Sequence, residues 1–254
     1  MKLIGIVGLI LGTASVVLAQ TAPQPNVQFT GEALARAPEF SKWVVSYGKA
    51  TPGLGGGDLL PQGGGKVVVI KTQSIIRERS TEAGDKVDKW HIGEVQYTVI
   101  PTTKQCVTAD LAAFQRGVAS ADYYTDYSQT DFPGMEWVSE KNYVRSLKYM
   151  GRDCLVFQDT LSLYTAEELK ELQKDRNGKK RASFNPADYQ IPVLAYVDSQ
   201  TRLPVLLQRG SELRVYRFAA PPAAMLKPPA EVLQNIKKKT EQDKELSTMP
   251  SRPF

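Results

Sequence analysis

The stretch VLAYVDSQTRLPVLLQRGSELRVYRF, residues 193–218, decides the fold class of this chain. Short polar turns separate three apolar runs, at residues 193–197, 203–208 and 213–218. Runs of this length between turn residues predict three consecutive antiparallel strands, a meander. Pro204 has no backbone N–H to donate. We therefore expect its strand to lie at a sheet edge, to be bulged there, or to pair on only one side at that point.

Strand patterns also precede the meander. Apolar runs at 67–70 and 75–76 are followed by the turn residues 82–86, and then by alternating apolar and polar residues at 95–99. This order predicts two long antiparallel strands joined by a hairpin. Further strands are predicted at residues 137–139, 143–150 and 154–158.

Two helices are predicted before the middle of the chain. Residues 37–50 carry apolar side chains at helical spacing, namely Phe40, Trp43, Val44 and Tyr47. This spacing predicts a short amphipathic helix. Thr108 is a suitable N-cap for a second short helix through Arg116, which Gly117 would end.

Two more helices are predicted in the second half of the chain. Thr165 and Glu168 have the spacing of a capping box, so a helix should begin there and run to about Asp175. Residues 231–246 are rich in charge and predict a solvated helix within a Pro/Ala-rich and charged tail, 219–254. We expect no packed core beyond about Lys227.

Residues 1–19 have the features of a secretory signal peptide. Lys2 precedes the uncharged run 3–19, and compact side chains precede a predicted cut between Ala19 and Gln20. The mature protein would then be periplasmic or secreted and would not span a membrane. The alternative is an uncleaved membrane anchor, although the run is near the lower length limit for spanning a bilayer.

Residues 20–65 are predicted to form a flexible segment that contains the short helix and a Gly-rich loop, 51–66. The loop invites comparison with the Walker phosphate-binding motif. Leu60 stands where the first glycine of that motif belongs, and Val67 replaces its hydroxyl residue. A linker or surface loop is the better interpretation.

The chain has two cysteines, Cys106 and Cys154. Export would bring them into an oxidising compartment, where two cysteines usually pair, so a disulfide between them is predicted. Two separately buried thiols are the alternative. No CxxC is present, and the sequence therefore offers no local redox or zinc motif.

Composition and motifs exclude several functions. A hydrophobic fraction of 42% with 23% charged residues is that of a globular domain. A net charge of +5 without a basic stripe gives no nucleic-acid signature. His91 is the only histidine, and no serine-hydrolase elbow or calcium-loop spacing is present, so no catalytic residue, metal ligand or cofactor is assigned. The segment 122–131 is interpreted as a polar connection whose tyrosine rings pack on neighbouring strands.

Two strand signatures together resemble periplasmic lipoprotein carriers of the LolA/LolB type. They are GRDCLVF at 151–157 and YVDSQTRLPV at 196–205, in which a strand ends in Asp and Thr-x-Leu-Pro opens the next strand. The resemblance implies an α+β fold, a strongly curved antiparallel sheet that forms an unclosed half-barrel over residues 66–218. It also implies a few helices over the concave face and an apolar cavity between sheet and helices.

A carrier of this kind would bind a lipid or acyl chain in its cavity without catalysis. The residues expected to line the cavity are Val95, Tyr97, Val99, Tyr143, Leu147, Leu155 and Phe157. The alternative function is a structural or protein-interaction module of the bacterial envelope, with a filled cavity and a protein partner. An enzyme is the third possibility, for which clustered carboxylates around His91 would be the sign.

Overall fold

A computed structural model of the chain describes residues 29–52, 59–82, 84–110, 125–174 and 184–248. The predicted signal peptide, the part of the predicted second helix beyond residue 110, residues 122–124 and residues 175–183 lie outside the described residues. No helix of the described ranges is both long enough and apolar enough to cross a membrane.

Twelve strands lie within the described ranges. They are β1 (Phe40–Pro52), β2 (Leu59–Gln62), β3 (Lys66–Thr72), β4 (Ile75–Glu82), β5 (Asp85–Ile92), β6 (Val95–Ile100), β7 (Gln105–Asp110), β8 (Tyr143–Tyr149), β9 (Arg152–Ser162), β10 (Gln190–Asp198), β11 (Pro204–Arg209) and β12 (Glu212–Ala219). Two α-helices accompany them, α1 (Ala166–Leu172) and α2 (Ala230–Thr248). Short 3-10 helices span Glu140–Asn142 and Pro186–Tyr189.

The strands form one large unclosed sheet in the order β7-β6-β5-β4-β3-β1-β12-β11-β10-β9-β8, with β2 paired to β1. Every pairing is antiparallel, which confirms the predicted α+β half-barrel. Strand β1 lies at the centre, between β3 and β12, and thereby joins the N-terminal and C-terminal halves of the sheet.

The predicted meander is confirmed as β10, β11 and β12. Pro204 opens β11, and the register against β10 shifts between Tyr196 and Val197, so the missing N–H falls at an irregularity of the ladder. The intervening turn is held by Asp198, whose Oδ1 accepts N–H bonds from Gln200 at 3.0 Å and Thr201 at 2.8 Å.

The sheet has two buried faces because side chains alternate along each strand. One face, here the cavity face, carries Trp43, Val69, Phe157, Leu207 and Tyr216. The irregular segments 29–39 and 125–139 cover it, and Phe132 and Met135 are buried against the sheet. These two segments therefore cover much of the cavity face in the described chain.

The opposite face, here the helix face, has two smaller clusters. One contains Tyr149, Cys154, Leu206, Leu213 and Val215. The other packs Trp90, Tyr97 and Val99 against Val232 of α2. The expectation of no packed core beyond Lys227 is therefore wrong, because Val232 is fully buried and Ile236 also contacts this cluster.

The capping box is confirmed. The N–H of Glu168 donates to the Thr165 hydroxyl at 3.2 Å, and the Thr165 N–H donates to the Glu168 carboxylate at 2.7 Å. No residue of α1 is buried.

The helix predicted at 37–50 is wrong, because this segment contains β1. Trp43, Val45 and Tyr47 face the cavity side, while Val44 lies on the other face of the strand. A strand that is apolar on both faces places Trp43, Val44 and Tyr47 at helical spacing as well, so periodicity alone could not decide. Pairing with β3 and β12 satisfies its backbone on both sides.

The structure also corrects the predictions for three shorter segments. Part of the predicted Gly-rich loop is strand β2, which pairs with β1. Thr108 lies inside β7, opposite Tyr97, instead of capping a helix. Residues 137–139 form turns instead of a strand, because the Val138 N–H donates to the Met135 carbonyl at 3.0 Å.

The predicted disulfide is absent, and both cysteines are free thiols. Cys106 lies in β7 at one end of the sheet, whereas Cys154 lies in β9 near the other end. Cys106 packs beside the α2 cluster, and Cys154 is fully buried in the other helix-face cluster. Burial raises the pKa of both thiols, that of Cys154 to about 11.

Candidate functional site

A partly open cavity of about 500 Å³ lies on the cavity face, within the size range of ligand pockets. The neighbouring strands β12, β1, β3 and β4 form its floor, and residues 125–133 form its wall. Its apolar and aromatic lining includes Trp43, Val45, Val67, Val69, Phe132 and Tyr216. Its polar lining includes Glu78, Thr125, Tyr127, Asp131, Glu212 and Arg214.

The floor follows from the register of the central strands. Val45 of β1 lies opposite Tyr216 on one side and Val67 on the other. Trp43 lies opposite Val69, which in turn lies opposite Glu78 of β4. Cross-strand neighbours of this kind contact one another, so the rows form a continuous apolar surface that ends in a carboxylate.

Tyr47 extends this surface and depends on a glycine. A Cβ added at Gly65 would lie 2.5 Å from the Tyr47 hydroxyl oxygen, closer than atoms can approach. Gly65 therefore leaves this cavity-lining ring in place, whereas a larger residue there would displace its hydroxyl end.

Phe132 closes the cavity on the side of β12. Its ring lies 5.6 Å from that of Trp43 and 6.0 Å from that of Tyr216, both edge to face. Such aromatic pairs are favourable beyond the area they bury. The wall is thus fixed to the floor by apolar packing.

Asp131 fixes the same wall by polar contacts. Its Oδ2 accepts the Ala37 N–H at 2.8 Å and the Lys71 ammonium at 2.8 Å. The Arg36 guanidinium lies 3.5 Å from Oδ1. Asp131 is only 3% exposed, so one buried carboxylate joins the wall, the N-terminal segment and strand β3.

Glu78 provides the polar end of the cavity on β4. The Tyr127 hydroxyl donates to its Oε1. The imidazole Nε2 of His91 lies 3.3 Å from the same oxygen, but it is not aligned for a hydrogen bond and has no such partner among the described residues. The rings of His91 and Tyr127 are in edge-to-face contact at 4.6 Å.

This arrangement keeps Glu78 ionised. Burial acts to raise its pKa, but the imidazole of His91, the Tyr127 hydroxyl and the charge of Lys89 together outweigh burial and lower the pKa below its ordinary value. Burial and the charge of Glu78 raise the pKa of Tyr127 well above its ordinary value. The pair therefore consists of a carboxylate and a neutral phenol.

Arg214 and Tyr216 form the polar end on β12. Arg214 Nε donates to Glu212 at 2.6 Å, and its Nη1 donates to the Pro133 carbonyl at 3.3 Å. Burial raises the pKa of Tyr216 to about 12 although Arg214 opposes the shift. The guanidinium is thus already occupied by a carboxylate and a carbonyl.

A second, more polar cavity of about 380 Å³ adjoins the first. The two share Thr125, Tyr127 and Asp131, and His91 lines the second cavity. The Thr125 N–H donates to the Gln96 side chain at 2.8 Å, which holds this part of the wall to β6.

The residues predicted to line a cavity lie elsewhere. Val95, Tyr97 and Val99 belong to the helix-face cluster beneath α2, and Leu147 belongs to the cluster around Cys154. Tyr143, Leu155 and Phe157 are on the cavity face, but they pack in the core. The ring of Phe29 lies 5.6 Å from that of Tyr143 and 6.0 Å from that of Phe157. None of these seven residues lines the 500 Å³ cavity.

Sequence reasoning missed the residues that do line it. Trp43 and Tyr47 were assigned to a helix, although Trp43, Val45 and Tyr47 also fit the two-residue period of a strand. Tyr127 and Asp131 fall in the segment interpreted as a polar connection. The contact of Tyr127 with His91 of β5 agrees with that interpretation for the described part of the segment.

No known family's sequence profile matches the chain. No curated protein matches it in sequence. Among solved structures, the chain is similar to LprF from Mycobacterium bovis, with 10% identity and a TM-score of 0.33, over 75% of this chain and 89% of LprF. This is a weak resemblance of fold alone, and membership of the LolA/LolB type stays a prediction.

Proposed function

We propose that this chain is an exported cell-envelope protein that binds a hydrophobic ligand in the 500 Å³ cavity and acts without catalysis. One observation carries the proposal: the segments that cover the cavity face leave an opening over an aromatic and aliphatic floor. A concave apolar site with a few polar groups is the usual form of a small-molecule site.

The energetics favour an apolar ligand. Removing apolar surface from water contributes about 25 cal/mol per Å², so about 200 Å² of ligand surface would contribute roughly 5 kcal/mol. Loss of ligand freedom and ordering of side chains offset part of this gain. The floor strands already pair on both sides, which limits the reorganisation needed on binding.

The filled half of the cavity face favours the alternative function. Towards β9 and β10, the side chains of Phe157, Ala195 and Val197 are fully buried beneath the covering segments. A structural or protein-interaction module would need such packing across the whole face. The open part over β12, β1, β3 and β4 is what favours a ligand instead.

The proposal that the protein is exported rests on its sequence. The uncharged run 3–19 after Lys2 and the compact residues before Gln20 support a cleaved leader. Mass spectrometry of the mature protein purified from periplasm or medium would test this, with an N-terminus at Gln20 expected and an intact leader contradicting it.

The ligand is tested in two steps. Native mass spectrometry of the purified protein, followed by organic extraction, should reveal a co-purifying hydrophobic molecule. Independently, the uncharged fluorescent probe N-phenyl-1-naphthylamine should bind, and Val45→Trp should weaken binding because the indole would occupy part of the cavity over its floor. Val144→Trp is the matched control, since Val144 is 51% exposed on β8 and does not line the cavity.

Clean apoprotein that also fails to bind the probe would contradict the proposal. Binding that Val45→Trp and Val144→Trp weaken equally would place the probe outside the cavity. Both variants should show wild-type circular dichroism, which separates loss of the site from loss of the fold.

A further inference from the structure

The three carboxylates that line the cavity differ in their hydrogen-bond partners. Asp131 accepts from the Lys71 ammonium at 2.8 Å, and Glu212 accepts from Arg214 at 2.6 Å. Each of these two carboxylates is therefore neutralised by a bonded cation. Glu78 accepts a hydrogen bond from the neutral phenol of Tyr127, and its cationic neighbours are Lys89, opposite it on β5, and His91, whose Nε2 lies 3.3 Å from Oε1 and is charged only when protonated.

Glu78 retains unused acceptor capacity at the cavity. An ionised carboxylate has about four acceptor positions. Within the described ranges, one hydrogen bond, from the Tyr127 hydroxyl to Oε1, fills one of them. His91 Nε2 stands 3.3 Å from Oε1 without forming a hydrogen bond, and the imidazole adds charge only when it is protonated.

The Glu78 carboxylate can therefore accept a further hydrogen bond. A largely buried carboxylate is costly unless it is paired and hydrogen-bonded. Glu78 is 9% exposed and lines the cavity, so a ligand in the cavity can add a hydrogen bond to those that this carboxylate already accepts. The Arg214 guanidinium, a cation that lines the cavity and could attract an anionic ligand, already donates to Glu212 and to the Pro133 carbonyl.

The apolar floor begins directly beside this carboxylate. Val69 lies opposite Glu78, and Trp43 lies opposite Val69, about two strand spacings or roughly 10 Å from Glu78. Trp43 and Val69 are almost fully buried, so a chain that starts at Glu78 would contact mainly the partly buried Val67 and Val45 on the same two strands.

We propose that the ligand of this cavity is a cationic amphiphile, whose ammonium group donates to Glu78 and whose apolar part lies over strands β3 and β1. This inference rests on the proposed function, because it names the class of ligand that the same cavity accepts. It distinguishes alkylammonium compounds from fatty acids, which would place a second carboxylate beside Glu78.

A matched pair of ligands tests the inference. Decylammonium and decanoate have the same chain length and opposite charge, and both would compete with N-phenyl-1-naphthylamine at pH 8. Decylammonium should displace the probe from the wild-type protein at a concentration at least tenfold lower than decanoate. Equal potency, or a preference for decanoate, would overturn the inference.

Glu78→Gln should reduce the preference to less than threefold while the uncharged probe still binds. Glu241→Gln is the control, because it removes the same charge from the exposed surface of α2 and should leave the tenfold preference intact. A preference that survives Glu78→Gln would overturn the role of Glu78. The wild-type comparison remains decisive if Glu78→Gln does not fold.

Different experimental results would contradict the proposed ligand class and the proposed function. Probe binding without a preference for the ammonium refutes the ligand class and leaves hydrophobic binding in place. Failure of the probe and of both amphiphiles to bind would refute the proposed function itself.

Discussion

Replacing Asp131 with alanine should destabilise the protein by about 3 kcal/mol. The substitution removes the acceptor of the Ala37 N–H and of the Lys71 ammonium, each at 2.8 Å. Breaking a buried ion pair from one side typically costs 3–5 kcal/mol. The lower end applies because Lys71 is 13% exposed and can regain water.

Urea denaturation followed by tryptophan fluorescence measures the effect. With a denaturant slope of about 2 kcal/mol per molar urea, the midpoint should fall by about 1.5 M. Asp153→Ala is the control, because Asp153 is paired with Lys148 at 3.8 Å on the surface and exposed pairs contribute about 0–1 kcal/mol. Equal midpoints for the two variants would refute the idea that Asp131 fixes the cavity wall.

Three further predictions concern α2, Glu78 and the cysteines. Val232→Ala should cost about 2 kcal/mol, because it removes buried methyl groups, whereas Leu233→Ala at a 53% exposed site should stay within about 0.5 kcal/mol; similar values would contradict packing of α2. Because the pKa of Glu78 is lowered, its charge stabilises the fold above the ordinary value of 4.5, and this contribution is lost as pH falls through the folded-state pKa. The unfolding free energies of wild type and Glu78→Gln should therefore converge below pH 4.5, and a constant difference would contradict this. Alkylation under denaturing, non-reducing conditions should modify both cysteines, with Cys106 reacting faster than Cys154 in the native protein; finding no free thiol would restore the disulfide.

The parts of the fold that the sequence predicts well are local. The strands of the meander and the turn at Asp198 are specified by neighbouring residues, as is the capping box of α1. A capping box joins residues three apart, and a hairpin joins strands that follow each other in the chain. Such features can be recognised without knowing the rest of the structure.

The cavity could not be predicted because it depends on a distant pairing. Strand β1 separates β3 from β12, and this insertion brings Trp43 and Val45 beside Tyr216. The spacing of Trp43, Val44 and Tyr47 fits a helix as well as a strand, so the central strand was assigned to the wrong class. The residues predicted to line the cavity instead belong to strands that pack against α2 or Phe29.

The packing of α2 depends on few residues. Val232 and Ile236 are apolar positions in a strongly charged helix, and their partners Trp90 and Tyr97 are far away in sequence. A narrow apolar stripe is a weak signal in a single sequence. The charge of the segment therefore dominated the prediction.

Valine methyl NMR during titration with N-phenyl-1-naphthylamine tests the central claim most directly. Ligand entry into the cavity predicts shift changes concentrated at Val45, Val67 and Val69, with little change at Val99 and Val232 beneath α2. Shifts confined to the α2 cluster, or an unchanged spectrum at saturating probe, would contradict a ligand site on the cavity face.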